Sequence, residues 1–85
     1  MVISRTVPRY PDRARVLGIE GLVRLEAILS REGRIEQDIK VLRSIPLLDE
    51  AASMALKQWY FTPARDARGQ AVRVILEVPF RFTLK

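Results

Sequence analysis

The sequence predicts an α+β fold: an α-β-β-α-β two-layer sandwich, with a three-stranded antiparallel sheet of order 2-1-3 and two helices on one face. Three observations predict it. In the last stretch Val72, Val74, Leu76, Val78, Phe80, Phe82 and Leu84 occupy every second position, with Arg73, Glu77, Pro79, Arg81 and Thr83 among the residues between them. That period of two is the pattern of a strand with one face in a core and the other in water. From Leu22 to Ser30 the same alternation places Val23, Leu25, Ala27 and Leu29 on one face. Between the two runs Leu48, Ala52, Ala55, Leu56 and Trp59 recur at three- and four-residue spacing, the apolar stripe of a helix. A hairpin running up and down, a helix returning to the top and a last strand running down again place that last strand beside the first. Both helices then cover the face on which the apolar positions converge.

The elements follow in order. Residues 1–7 carry no periodicity and are expected to fray, which leaves residues 8–85 as the domain. Pro8 and Pro11 keep the residues before them extended, and Pro11 suits the first position of a short helix ending at Leu17. Gly18 stops that helix, and Glu20-Gly21 turns the chain into the first strand. Ser30 to Arg34 is a hairpin loop, with Gly33 free to take positive φ. In the second strand Ile35, Ile39 and Val41 are expected to face inward, and Glu36, Asp38 and Lys40 outward. Pro46 opens the long helix; Asp49 and Glu50 lie in its first turn and Lys57 in its last, as the helix dipole favours.

Pro79 constrains the last strand. Proline has no N–H to give a ladder, so this strand belongs at a sheet edge. A long, regular edge strand invites pairing with another chain. The candidate partner-binding surface is therefore the outer edge of Arg73, Val74, Ile75, Leu76, Glu77 and Val78, used by strand addition. Which alternate set of residues, Ile75 or Leu76, directs its backbone outward is open at this level.

Composition narrows the function. The chain has no cysteine and no histidine, so disulfides, thiolate sites and the commonest general base are unavailable. An enzyme is not expected, and no cofactor is called for. Glu36 and Asp38 share a strand face, but carboxylates there are expected to pair across strands with Arg24 or Lys40 rather than hold a cation. The net charge of +5 comes from fifteen basic residues, of which only Lys40, Lys57 and Lys85 are lysine. The open sheet face balances Arg24, Lys40, Arg73 and Arg81 against Glu26, Glu36, Asp38 and Glu77, with no aromatic among them. A single-strand reader needs stacking platforms and a positive groove, so nucleic acid is not the expected partner. Leu22, Ile28, Leu42 and Ile75 also lie on this face and would support a face-to-face homodimer if they cluster. No apolar run reaches the roughly 18 residues of a membrane span.

Several motifs fall in a familiar order: Tyr10-Pro11 before a short helix, Glu20-Gly21 before a strand, Gly33 in the hairpin, Leu48-Asp49-Glu50-Ala51-Ala52, Trp59-Tyr60-Phe61-Thr62-Pro63-Ala64, and Val78-Pro79-Phe80-Arg81-Phe82. Over residues 8–84 the chain closely resembles the C-terminal domain of the TonB energy transducers. The resemblance implies a periplasmic domain of a protein anchored in the inner membrane. ExbB and ExbD would be engaged there, through regions absent from this chain. It implies that the domain grips the TonB box of outer-membrane receptors for iron-siderophores or other scarce nutrients. The box adds as a strand beside the last strand, with Arg9 and Tyr10 near it. Val7 stands where the family often has a polar residue, and Ala27 where it often has an aromatic. A TolA-like envelope docking domain and a basic nucleic-acid-binding sandwich are the alternatives.

Overall fold

The computed structural model describes residues 1–84. Its elements are β1 (Val2–Ser4), α1 (Asp12–Val16), β2 (Gly21–Leu29), β3 (Lys40–Arg43), α2 (Pro46–Lys57), β4 (Tyr60–Phe61) and β5 (Val74–Phe82). The main sheet is antiparallel in the order β3-β2-β5, as the alternation predicts. Val23, Leu25, Ala27 and Leu29 of β2 are buried against Leu48, Ala52, Ala55 and Leu56 of α2, with Trp59, Phe61, Phe80 and Phe82 completing the core. The alanines of α2 bring its backbone close to the sheet. Pro46 stands at the first turn of α2, where its missing N–H is no loss, and the Asp49 carboxylate accepts the Ile45 N–H at 2.8 Å. α1 ends at Val16 with Leu17 as its C-cap, followed by Gly18 at φ 69°.

Two regions differ from the sequence expectation. Part of the segment expected to fray is a strand: Val2 and Ser4 of β1 pair antiparallel with Phe61 and Tyr60 of β4. The Thr62 amide donates to the Met1 carbonyl at 2.8 Å, and the Trp59 indole N–H to the Thr6 carbonyl at 2.9 Å. Three residues are too short a run to show a period, and their partner is a pair of residues that reads as the end of a helix. The second strand also starts later than expected. Ile35 makes only an isolated bridge to Leu29, and β3 begins at Lys40, with all four of its residues exposed. Ile35 and Ile39 pack against the core, whereas Val41 is 38% exposed. Val41 is paired with the buried Leu25 and so shares its face, but β3 is a sheet edge with no further strand beside it among the described residues, and this leaves Val41 open to solvent. The register shift between Arg24 and Leu25 affects only the residues of β3 beyond it.

Candidate functional site

β5 pairs with β2 along its whole length, from Val74 opposite Leu29 to Phe82 opposite Gly21. No other described strand pairs with its second edge. The direction of its backbone groups follows from one bond on the far side of β2. The Glu36 amide donates to the Ile28 carbonyl at 2.9 Å, so Ile28 directs its backbone toward the β3 side. Successive residues of a strand direct their peptide groups to opposite sides. Leu25, Ala27 and Leu29 therefore face β5 and exchange bonds with Val78, Leu76 and Val74. Ile75, Glu77, Pro79 and Arg81 face outward. Pro79, opposite Arg24, thus points its donorless nitrogen at solvent, the one arrangement that costs the ladder nothing. The free N–H groups before it belong to Ile75 and Glu77.

The side chains around this edge are anchored by ion pairs on the open face. Arg73 makes two hydrogen bonds to Glu36, from Nε and Nη2, both at 2.8 Å. This fork reaches over the end of β2, since Glu36 lies on the β3 side and Arg73 at the start of β5. The Arg73 hydrogen bond holds the Glu36 carboxyl below the usual range, and the same bond raises the Arg73 guanidinium. Glu77 lies opposite Glu26, a like-charge pair relieved by Arg24, whose Nε stands 3.0 Å from the Glu77 carboxylate. The sequence expectation of cross-strand pairing is met, but with different partners: Glu36 takes Arg73, and Arg24 takes Glu77. Among the described residues no cluster of carboxylates could hold a metal ion.

The structure brings together Arg73, Val74, Ile75, Leu76, Glu77 and Val78, but not Arg9 and Tyr10. Tyr10 donates its hydroxyl to the Ile19 carbonyl and sets its ring edge-on against Phe82, centroids 5.5 Å apart, at the opposite end of β5. Burial, reinforced by the Glu20 carboxylate, pushes the Tyr10 phenol up. Its contacts are those of a core anchor. Arg9 is exposed and lines a groove along α2 with Pro46, Leu47 and Glu50. Sequence reasoning missed the wall built beside Val74 and Leu76 by Val2, Phe61, Pro63 and Ala64. Its only sequence signal was the Trp-x-Phe-x-Pro-Ala run, which says nothing of where Val2 goes.

Comparisons with known proteins agree with this architecture. The family model described as Gram-negative bacterial TonB protein C-terminal matches residues 6–84. Protein TonB of Vibrio cholerae is 37% identical over 86 residues, covering 100% of this chain and 35% of that protein. Protein TonB of Escherichia coli is 27% identical over 78 residues, covering 89% of this chain and 32% of that protein. The chain thus spans about a third of the length of these curated relatives. The solution structure of the Pseudomonas aeruginosa TonB C-terminal domain superposes with a TM-score of 0.81 at 32% identity, covering 100% of this chain and 86% of that one. The Helicobacter pylori TonB C-terminal domain does so with a TM-score of 0.64 at 29% identity, covering 92% and 70%. On the family match, the V. cholerae relative and the shared fold, this chain belongs to the family of Gram-negative bacterial TonB protein C-terminal domains.

Proposed function

We propose that this domain is the receptor-gripping end of a periplasmic energy transducer, and that it binds the TonB box of an outer-membrane receptor as a strand added to the outer edge of β5. The observation that carries the reading is the outward direction of the Ile75 and Glu77 peptide groups on an edge with no neighbour among the described residues. Four or five main-chain hydrogen bonds at about 0.5–1.5 kcal/mol net each give a reversible grip. Because the bonds are main-chain, one domain serves receptors with different box sequences. In the longer proteins of the family, an inner-membrane anchor working with ExbB and ExbD would deliver proton-motive force to this grip for the uptake of iron-siderophores or similar nutrients. No described helix is long and apolar enough to cross a membrane, so that anchoring falls to other segments.

Hydrogen exchange tests the reading. On addition of a receptor box peptide, the Ile75 and Glu77 amides should gain protection, while those of Val74, Leu76 and Val78, already in the β2 ladder, change little. Peptide binding that leaves Ile75 and Glu77 exchanging freely would refute edge addition.

A further inference from the structure

Between Tyr10 and Ile19 the chain makes a projection stapled at its base. The Tyr10 hydroxyl donates to the Ile19 carbonyl, and the Ile19 amide donates to the Ala14 carbonyl at 2.9 Å. α1 lies within this projection and buries only Ala14; every other residue from Asp12 to Gly18 is exposed. Two of them are aliphatic, Val16 at 84% and Leu17 at 59% exposure. Arg13 stands three and four positions before them and so shares their face of the helix. Arg15 flanks that face, and Arg9 is exposed just before the projection. The acidic groups nearby are engaged. Asp12 lies 3.9 Å from Arg15, and the Glu20 carboxylate accepts the Leu84 amide at 2.7 Å. Among the described residues no ion pair holds Arg9 or Arg13.

A single exposed aliphatic needs no account. Two adjacent ones on a convex tip, ringed by arginines, fit one kind of surface. The tip offers far less than the roughly 800 Å² per partner of a stable protein interface. A fluid lipid surface needs no matching relief. Guanidinium groups meet its phosphates bidentately, and short aliphatic side chains enter the boundary between headgroups and acyl chains. We propose that the Arg13–Leu17 tip docks on an anionic lipid surface, with Arg9, Arg13 and Arg15 at the phosphates and Val16 and Leu17 inserted between them. The contact is weak, reversible and salt-sensitive, because three arginines and two aliphatics make up the whole of it. The stapled base holds the tip in one shape, so little order has to be gained on contact. The tip lies at the Phe82 end of β5, away from Ile75 and Glu77, so lipid contact and edge addition are independent of one another.

The test is co-sedimentation of the domain with vesicles of equal parts phosphatidylglycerol and phosphatidylcholine, against vesicles of phosphatidylcholine alone. Binding is expected only to the mixed vesicles, and it should fall as salt rises. Arg13→Gln with Arg15→Gln should weaken it about tenfold or more. Val16→Ser with Leu17→Ser, which keeps every charge, should weaken it about tenfold. Arg31→Gln with Arg68→Gln removes the same charge from loops at the other end of the sheet and should change little. All these positions are exposed, and circular dichroism checks that each variant is folded. Should the serine pair fail to fold, Val16→Ala with Leu17→Ala takes its place, since alanine favours the helix. No binding to the mixed vesicles overturns the proposal and leaves the tip to a protein partner. Equal losses in the two arginine pairs would show attraction by net charge alone, and an undiminished aliphatic pair would show contact without insertion. Either result overturns it.

Discussion

Trp59 donates its indole N–H to the carbonyl of Thr6 at 2.9 Å, joining the end of α2 to a segment 53 positions earlier. The ring lies against Phe80 and Phe61, with centroids 5.3 and 6.1 Å away, and the Arg5 guanidinium stands 5.5 Å above it. One side chain thus closes the core and fixes the N-terminal strand. The two roles separate by substitution. Trp59→Ala should cost about 3–5 kcal/mol, a large share of a small domain's stability. Trp59→Phe keeps an aromatic ring in the core but loses the bond to Thr6, at about 1 kcal/mol. In Trp59→Phe, hydrogen exchange at the Thr62 amide, which donates to Met1, should quicken before that of β2. Unchanged exchange at Thr62 would show that β1 does not depend on the indole.

Gly33 should resist substitution more than its place in a loop suggests. Its φ is 85°, and a Cβ there would overlap the Phe61 carbonyl. The Phe61 amide donates to the Gly33 carbonyl at 2.9 Å, so hairpin and β4 are locked by backbone approach. Gly33→Ala should cost about 2 kcal/mol or more, combining left-handed strain with displacement of β4. Gly69, also at positive φ but with nothing near its Cβ direction, is the control and should lose less. Denaturant midpoints of the two variants decide this, and equal losses would refute the close-approach account.

The extent to which this fold was legible follows from which residues carry a periodic signal. β2 and β5 each alternate over nine residues between a more covered and a more open face, so their period is unambiguous, and α2 has a complete apolar stripe. β1 and β4 have three and two residues, too few for any period, and each exists only because the other pairs with it. Pro79 marked β5 as an edge, but the outward set of residues required a bond on the other side of β2, between Glu36 and Ile28. Likewise the wall beside Val74 and Leu76 is a tertiary product of β1 and β4. Tyr10 shows another limit: the resemblance implied only that it lies near the partner strand, and the packing adds that its ring is fixed against Phe82 of β5.

The Arg73–Glu36 fork predicts a specific acid response. Glu36 is held below its ordinary range, chiefly by the hydrogen bond from Arg73, so the folded state favours its charged form. The stabilisation is complete above the ordinary glutamate value of about 4.3 and disappears as the pH falls through the lowered folded value. Wild type and Glu36→Gln should therefore differ by a constant amount between about pH 6 and 8, and converge in acid. Arg73 is exposed and Glu36 half-buried, so the difference should shrink in high salt. Urea midpoints across the pH range test this. A gap that persists undiminished at the acid end would mean that the substitution perturbs packing rather than charge.

The direction of the β5 backbone makes two adjacent proline substitutions opposite in effect. Ile75 directs its N–H to the outer edge, so Ile75→Pro removes no bond to β2, and its neighbour Val74 is already extended as a residue before proline must be. This variant should fold, with a circular dichroism spectrum and melting temperature close to wild type. It should lose box-peptide binding, since one donor is gone and the ring obstructs the approaching strand. Leu76 directs its N–H to the Ala27 carbonyl, which is buried in the sheet. Leu76→Pro leaves that acceptor without its donor, at about 1–3 kcal/mol, and distorts the ladder on either side. It should lower stability first and affinity only through unfolding. A folded Ile75→Pro that binds a receptor box peptide with full affinity would place the partner elsewhere on the domain.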